Sequence, residues 1–257
     1  MMSSEKYNPE NYWDTVAQKI ILRGKDEIIA GDNEPFYSYK RNKFLKIFNS
    51  INFEGKRVLE IGSGPGGNLL EVFNQRPAGL YGTDISAEMI TLSGKILGNK
   101  NITVLKTNGK NLPFADQYFD IVYSATVLQH ITDEEVLSGI VGNMCRVAAE
   151  DVYIFERIEK KMRIGESNIG RTIDMYTRQF SNNLFFLEEV KFLNLHISYL
   201  ICGIIRKIFN RKNRKEAEPV SWLSEGIQKF ILPVTKRLDN IFKRKRDMAM
   251  LHFIRMK

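Results

Sequence analysis

Residues 56–156 alternate short apolar runs with helix-like segments, and this alternation constrains the fold more than any other feature of the sequence. The apolar runs are VLEI, GLYGTDI, ITVL, FDIVYSA and DVYIFE. Strands that alternate with helices are joined by right-handed crossovers, which make the strands parallel and place helices on both faces of the sheet. The sequence therefore predicts a doubly wound α/β domain.

Four regions are predicted along the chain. A helical cap at 1–55, opened by Pro9 at a first helical position, precedes the α/β domain at 56–204. A basic amphipathic helical insert at 205–246 follows, and then a final strand of the same sheet at 247–257, where MLHFIRMK alternates in hydrophobicity. We therefore expect one main domain with additions at both ends.

Local signals place two helix starts and one further strand. Ser86 can cap the helix AEMITLSGKIL, while Thr132 and Glu135 fit the S/T-x-x-E capping box of a helix that reaches about Arg146. Another strand is predicted within 187–198.

The loop after the first apolar run has four glycines in six residues, GSGPGG at 62–67. Gly62, Gly64 and Gly67 fit the G-x-G-x-x-G of a dinucleotide site, whereas Gly62, Gly64 and Gly66 fit the G-x-G-x-G of S-adenosylmethionine (SAM) enzymes. Ligands of open parallel sheets bind at such loops, and glycine lets the backbone approach them. The loop alone does not decide between NAD and SAM.

Asp84 is a second candidate for nucleoside binding. It ends the second predicted strand, 22 residues after Gly62. An acid at this distance is placed to accept hydrogen bonds from ribose hydroxyls. Because NAD and SAM both contain this ribose, Asp84 predicts a nucleoside ligand without choosing between them.

A resemblance to a known family makes that choice. VLEIGSGPGGN, YGTDIS, NLPF and FDIVYSATVLQHI follow one another within roughly residues 56–156. Together they resemble the class I SAM-dependent methyltransferases, especially the branch of the ubiquinone and menaquinone methyltransferases. The resemblance implies a Rossmann-like methyltransferase sheet, SAM as cofactor and methylation of a small-molecule, glycan or lipid-linked acceptor, with O-methylation as our prediction.

The resemblance also implies which residues bind SAM. One of them departs from the pattern: where relatives often have an acid near the adenine amino group, this chain has an asparagine, which can still accept through its carbonyl oxygen. The implied residues are Glu60, Gly62, Ser63, Gly64 and Gly66 around the amino-acid part, Asp84 at the ribose, Ile85, Asn108 and Gly109 at the adenine, and Ala125 near the sulfonium.

Two further departures concern the turns after the fourth strand and the fifth helix. Ala125 and Thr126 stand where many enzymes that methylate nucleobase amino groups have Asn-Pro-Pro-Tyr, so nucleic acid is not expected as a partner. RVAAEDVYIF replaces the Leu-x-Pro-Gly-Gly turn of many relatives. That turn must therefore be built differently.

His130, in the segment VLQHI, is the candidate catalytic residue. An unperturbed histidine has a pKa of about 6.5, which suits a general base for a hydroxyl acceptor. Asp133 could orient it. A packing or helix-start role for His130 is the alternative. Candidates for a cover over the cofactor are Tyr12, Trp13, Tyr37, Tyr39 and Arg41.

The segment 205–246 concentrates the positive charge of the chain. It has thirteen Lys or Arg against four acids, whereas the whole chain has a net charge of +8. Pro233 interrupts its apolar stripe, which predicts two helices or one kinked helix. Such a segment suits an anionic membrane surface. A solvated face, or packing on the sheet or on a second subunit, is the alternative.

The remaining composition favours a cytoplasmic protein, with membrane association left open. Cys145 and Cys202 lack C-x-x-C spacing, so neither a disulfide framework nor a metal site is predicted. The stretch 192–205 is too short and polar to span a bilayer. Two other functions stay open: an NAD-dependent oxidoreductase that uses the same glycine loop, and a non-catalytic membrane or RNA adaptor acting through 205–246.

Overall fold

The computed structural model describes most of the chain. Parts of the predicted cap and of the basic insert lie outside the described residues, as does the last residue of the predicted final strand. The described residues are 7–22, 34–212, 214, 217–244 and 247–256.

The described residues form nine strands and eight α-helices. The strands are β1 (Arg57–Ile61), β2 (Gly79–Asp84), β3 (Thr103–Lys106), β4 (Phe119–Ala125), β5 (Ala148–Ile158), β6 (Arg163–Ile164), β7 (Ile169–Gly170), β8 (Phe185–Phe192) and β9 (Asp247–Arg255). The helices are α1 (Pro9–Leu22), α2 (Pro35–Phe48), α3 (Gly67–Phe73), α4 (Ala87–Leu97), α5 (Glu134–Val147), α6 (Ile173–Ser181), α7 (His196–Phe209) and α8 (Trp222–Ile241).

Seven strands form one sheet in the order β3-β2-β1-β4-β5-β9-β8, which confirms the doubly wound α/β fold. The strands from β1 to β5 are parallel, and β9 is antiparallel to both of its neighbours. The chain order reverses between β1 and β4, where ligands of such sheets bind. A separate hairpin of β6 and β7 follows β5.

Each face of the sheet packs on its own set of helices. Successive residues of a strand point to opposite faces, so Val122 packs with Leu137 and Met144 of α5, while Tyr123 packs with Phe48 of α2. These side chains are fully buried. The two faces hold the strand ends, and therefore the loops that follow them, in fixed positions.

The predicted elements match the structure closely in the first half of the domain. The predicted helix after Ser86 and the strand FDIVYSA have the observed bounds of α4 and β4. Ser86 caps α4, since its Oγ accepts a hydrogen bond from the N–H of Met89 at 3.0 Å.

The capping box predicted at Thr132 is wrong. The N-cap of α5 is Asp133, whose Oδ1 accepts hydrogen bonds from the N–H groups of Glu135 and Val136 at 2.9 and 3.1 Å. A carboxylate one residue later satisfies the same free N–H groups of the first turn, so the helix begins at Glu134. Asp133 therefore acts first as a helix cap.

The helical insert also differs from its predicted bounds. Helix α7 begins at His196, so the strand predicted within 187–198 ends at Phe192, and residue 205 lies inside a helix. Helix α8 is one continuous helix with Pro233 inside it. After α5 the chain enters β5 directly at Ala148. No separate turn is needed at the position where many relatives have Leu-x-Pro-Gly-Gly.

Candidate functional site

A cavity of about 300 Å³ lies at the carboxyl ends of β1, β2 and β4, and we call it the glycine-loop cavity. Its volume is at the lower end of the range for small-molecule sites. Its lining is mainly apolar, with a few polar groups. The lining residues are Tyr7, Pro9, Trp13, Ile61, Gly62, Gly64, Thr83, Asp84, Ile85, Met89, Thr107, Asn108, Gly109, Ala125, Thr126, Val127, His130, Ile131, Thr132, Asp133, Val136 and Ile140.

The glycine loop has a backbone that only glycine adopts easily. Gly62, Gly64 and Gly66 have φ angles of 69°, 51° and 94°, in the left-handed region. A Cβ atom at Gly62 would overlap the side chain of Val127, which lines the cavity from the loop after β4. The loop therefore presents bare backbone to the cavity, and larger side chains are excluded.

Asp84 holds this loop in place while facing the cavity. Its Oδ2 accepts a hydrogen bond from the N–H of Gly64 at 2.8 Å, and its Oδ1 accepts one from the N–H of Ser86 at 2.9 Å. Asp84 is only 8% exposed, and this burial raises the pKa of its carboxyl. The hydrogen bonds from the backbone N–H groups oppose the rise. A carboxylate has about four lone-pair sites, so these backbone bonds leave acceptor capacity for a ligand.

Most of the predicted cofactor residues come together around the cavity. Gly62, Gly64, Asp84, Ile85, Asn108, Gly109 and Ala125 line it, as does His130. Glu60, Ser63 and Gly66 are not among the lining residues. Ser63 is buried beside Gly82 of β2, and Gly66 is the N-cap of α3.

Glu60 lies behind the glycine loop and is fully buried. Its Oε1 accepts a hydrogen bond from Nδ2 of Asn68 at 2.7 Å, and its Oε2 accepts one from the hydroxyl of Tyr123 at 3.0 Å. Burial raises the pKa of Glu60 to about 8, against the opposing effect of these bonds and of Arg41. Arg41 in turn donates to Asn68 and to the carbonyl of Gly67. Glu60 thus supports the start of α3 through Asn68.

The loop after β4 is held by a buried acid that the sequence analysis missed. Glu156, near the end of β5, accepts hydrogen bonds from the backbone N–H groups of Val127, Leu128 and Gln129 at 2.9, 2.8 and 3.0 Å. Burial raises its pKa to about 7, while those N–H groups and Arg171 oppose the rise. An acid at or near the end of a buried apolar strand, a position that Glu60 and Asp84 also have, was the available sequence signal.

Arg171 holds the same loop from its other side. Its guanidinium is almost fully buried and donates to the carbonyls of Leu128 and Ile131 at 2.9 and 2.7 Å, and to Oε1 of Glu134 at 2.7 Å. In this short 3₁₀ turn, Leu128–His130, the N–H groups of Leu128 and Gln129 and the carbonyl of Leu128 are therefore paired. No pattern in the sequence pointed to Arg171.

His130 projects from this turn and contacts three parts of the protein. Its Nδ1 lies 3.1 Å from the carbonyl oxygen of Ser167 in the β6–β7 hairpin, and its Nε2 lies 3.1 Å from Nε2 of Gln129. A carbonyl only accepts, so Nδ1 bears the hydrogen and Nε2 presents a lone pair. The ring of Trp13 meets it edge-on, with centroids 5.1 Å apart.

Helix α1 covers the cavity. Tyr7, Pro9 and Trp13 line it, and Asp14 fixes the helix because its Oδ1 accepts from the hydroxyl of Ser86 at 2.6 Å. Tyr12, also predicted as a cover residue, lies in α1 and packs on Trp13 but does not line the cavity. The remaining three lie elsewhere: Tyr37 bonds Arg206, Tyr39 is buried under α8, and Arg41 supports α3. The cover is therefore α1 alone among the described helices of the cap.

The residues at this cavity fit a nucleoside cofactor with an amino-acid tail. Bare backbone at the glycine loop suits a polar tail, the carboxylate of Asp84 suits vicinal hydroxyls, and Ile85 and Met89 supply an apolar wall for a flat base. Among the described residues, no group of three His, Cys, Asp or Glu side chains could hold a metal ion.

Comparison with known proteins finds a family model that matches the segment contributing most of the cavity lining. Residues 59–155 match the family model described as "Methyltransferase domain". One curated relative, a ubiquinone biosynthesis O-methyltransferase from Mesorhizobium japonicum, is 31% identical over 96 residues, which are 37% of this chain and 38% of that protein. The first curated relatives include N-, O- and C-methyltransferases, and the matched segments span only 32% to 39% of their length.

Solved structures share the fold over nearly the whole chain. The magnesium protoporphyrin IX methyltransferase of Synechocystis PCC 6803, solved with bound SAM, has a TM-score of 0.60 at 14% identity and covers 96% of this chain and 95% of its own. The [4+2]-cyclase SpnF has a TM-score of 0.66 at 11% identity, with 96% and 95% covered. At these identities the likeness is one of fold.

Proposed function

We propose that this chain, whose residues 59–155 form a class I SAM-dependent methyltransferase domain, transfers the methyl group of SAM to an oxygen atom of a small-molecule, glycan or lipid-linked acceptor. The observation that supports this most is the pairing of Asp84 with the glycine loop at one cavity. Bound SAM supplies a methyl group that its sulfonium already activates. The protein then has to bind SAM and the acceptor, align them and exclude water.

The cavity residues are assigned to these tasks as follows. Asp84 accepts hydrogen bonds from the ribose, Ile85 lines the adenine, and the backbone of Gly62 and Gly64 meets the amino-acid part. Asn108 and Gly109 lie at the adenine edge and Ala125 at the sulfonium. Glu60, Ser63 and Gly66 act indirectly, because they shape the loop from behind.

Alignment is the main catalytic contribution that we assign to the protein. Holding two reactants in line can lower a barrier by about 7–11 kcal/mol. The turn that Glu156 and Arg171 fix, and the helix that Asp14 fixes, make the walls of the cavity rigid. Helix α1 also excludes water from the reacting atoms.

We assign His130 as the general base for a hydroxyl acceptor. Its Nε2 lone pair is the basic atom, while the Nδ1–H bond to Ser167 sets the tautomer. Gln129 donates to that lone pair in this structure, so an acceptor hydroxyl would replace Gln129 as the donor. The proton of the hydroxyl then passes to Nε2 as the oxygen takes the methyl group.

His130→Gln is expected to lower turnover about 10²–10⁴-fold, the usual contribution of a positioned base. A panel of catechols, sugars and polyprenyl-linked sugars would first identify the acceptor that reacts fastest. The rate would then be measured with that acceptor as formation of S-adenosylhomocysteine (SAH) from SAM. The affinity for SAH should stay within about threefold of wild type, since the variant keeps the cavity shape. Equal turnover of the two proteins would leave His130 a packing residue.

Calorimetry with SAM, SAH and NAD tests which cofactor the protein binds. We expect both sulfur ligands to bind in the usual micromolar range and NAD to bind about a hundredfold more weakly or not at all. The protein should be in its full-length form, because α1 covers the site. Binding of NAD without SAM or SAH would overturn the proposal and favour an oxidoreductase.

A further inference from the structure

The buried face of helix α8 is mostly polar, with Leu232 as its apolar member, and several large apolar side chains of the helix are exposed. Ser224, Gln228, Thr235 and Asp239 are at most 1% exposed. At 100° per residue these four lie on one face, and Leu223, Phe230, Val234 and Ile241 cluster on a different face, about 130° around the helix. Phe230 is 84% exposed and Ile241 70%. A surface helix of a globular protein has the reverse arrangement.

Hydrogen bonds fix this orientation. Oδ1 of Asp239 accepts from the N–H groups of Ile197 and Ser198 at 2.7 and 3.2 Å, which satisfies the first turn of α7. The hydroxyls of Ser198 and Thr235 bond at 2.8 Å. Since these buried partners would be lost if α8 turned, the apolar face is held outward.

A second set of bonds fixes the other half of α8. Oε1 of Gln228 accepts from the N–H of Phe36 at 3.2 Å, and its Nε2 donates to Glu34 at 2.6 Å. The exposed apolar face is therefore specified along most of the helix.

Helix α7 runs antiparallel to α8, packs against it and also exposes apolar residues. Ser198, Cys202 and Ile205 are buried, whereas Leu200, Ile204 and Ile208 lie on the outward face at four-residue intervals. Ile204 is 59% exposed and Ile208 65%. The two helices, which we call the α7–α8 hairpin, thus both expose apolar side chains.

Cations border this apolar surface. A groove of about 510 Å³ at the end of α7 is lined by Lys207, Arg211 and Lys212, all exposed, next to Leu200 and Ile204. On α8, the exposed Arg237 lies at the edge of the apolar face. Apolar side chains on one face with Lys and Arg around them are typical of helices that lie in the plane of a membrane surface.

We infer that the α7–α8 hairpin docks on the surface of a bilayer that contains anionic phospholipid. The exposed side chains of α7 and α8 enter the boundary between headgroups and acyl chains, and the cations at the groove meet lipid phosphates. No helix among the described residues is long and apolar enough to cross a membrane. The hairpin therefore lies on the surface, and this inference does not depend on methyl transfer.

Other occupants fit the surface less well. A symmetric contact between two copies would bring the same cations face to face, which costs free energy. RNA would pair with the cations but would leave Phe230, Val234 and Ile241 in water. An anionic membrane matches both the apolar side chains and the charge.

Vesicle flotation with purified full-length protein tests the inference. Vesicles of phosphatidylcholine alone are compared with vesicles that also contain phosphatidylglycerol. We expect binding to the anionic vesicles to be at least about tenfold stronger, because each cation near the surface adds to the attraction. Phe230→Ser should weaken that binding about tenfold, since it removes a large apolar side chain from the boundary.

Matched variants separate apolar docking from charge and from unfolding. Ile164→Ser changes an exposed apolar residue of the β6–β7 hairpin and should leave binding unchanged, as should Lys95→Glu on α4. Lys207→Glu should weaken binding to anionic vesicles only. SAH affinity should be the same in all variants, which shows that each is folded.

Three results would overturn the inference. One is a wild-type protein that floats with neither vesicle type. Another is an equal loss for Phe230→Ser and Ile164→Ser. The third is a protein that does not bind vesicles and has another partner. That partner would be a second copy, if gel filtration shows a dimer that Phe230→Ser dissociates, or RNA, if the protein binds homopolymer RNA and Lys207→Glu abolishes that binding.

Discussion

Asp84→Ala is expected to weaken the binding of SAH about a hundredfold or more, with little change in the helix and sheet content. Hydrogen bonds to a charged group contribute about 1.5–3 kcal/mol each, and the carboxylate is assigned two of them at the ribose. A loss of about 3 kcal/mol corresponds to a factor of more than a hundred in Kd. Calorimetry of the variant with SAH measures this directly.

The loop contacts of Asp84 require a second variant. Its oxygens also accept from the N–H groups of Gly64 and Ser86, so alanine removes support for the glycine loop as well. Asp84→Asn keeps the shape and one acceptor oxygen while removing the charge. We expect it to bind SAH more weakly than wild type but more tightly than the alanine variant.

Glu54→Ala is the matched control, because Glu54 is an exposed acid that does not line the cavity. It should bind SAH as wild type does. If Asp84→Ala bound SAH within about threefold of wild type, the assigned ribose contact would be wrong. If it also kept the cellular function of the protein, the adaptor hypothesis would gain support.

Local patterns were sufficient to predict the fold and much of the cavity. The start of α4 followed from the cap at Ser86, and the strand FDIVYSA matched β4. Parallel strands end at one edge of the sheet, so loops far apart in sequence could be placed together. That is why Gly62 and Asp84 were expected at one cavity; Asn108 was added by the resemblance to the methyltransferases, and all three line it.

Tertiary partners decided what local patterns could not. Glu60 has the pattern of a ligand-binding acid, yet Asn68 and Tyr123 turn it away from the cavity lining. The insert was predicted to be an amphipathic helix, but the periodicity of its apolar residues alone does not say which face is buried. On α8, polar partners such as Asp239 determined that.

The contacts by which Glu156 and Arg171 hold the loop after β4 show the same dependence on tertiary structure. Glu156 and Arg171 lie 15 residues apart and meet on a turn whose residues precede both. No spacing rule connects three such segments. Only the pairing of β4 with β5, which brings Ala125 beside Phe155, places Glu156 under the turn.

Glu156→Ala is expected to lower the free energy of unfolding by about 3–5 kcal/mol. It removes the acceptor of three backbone N–H groups, and that of Leu128 is buried. Each unpaired buried donor costs about 1–3 kcal/mol, partly relieved if water enters. For a chain of this length the loss corresponds to a Tm lower by roughly 10 °C, measured by thermal unfolding.

The same substitution should also weaken SAH binding, because Val127 forms part of the cavity wall and packs on Gly62. Glu156→Gln keeps the shape and one acceptor oxygen, so its losses should be about half as large. Glu150→Ala is the control on the same strand. Glu150 is exposed and forms a surface ion pair with Lys56, a contact worth at most about 1 kcal/mol. If Glu156→Ala were no less stable than Glu150→Ala, the turn that bears His130 would owe its position to Arg171 and the packing of Leu128, and the acid beneath it would be dispensable.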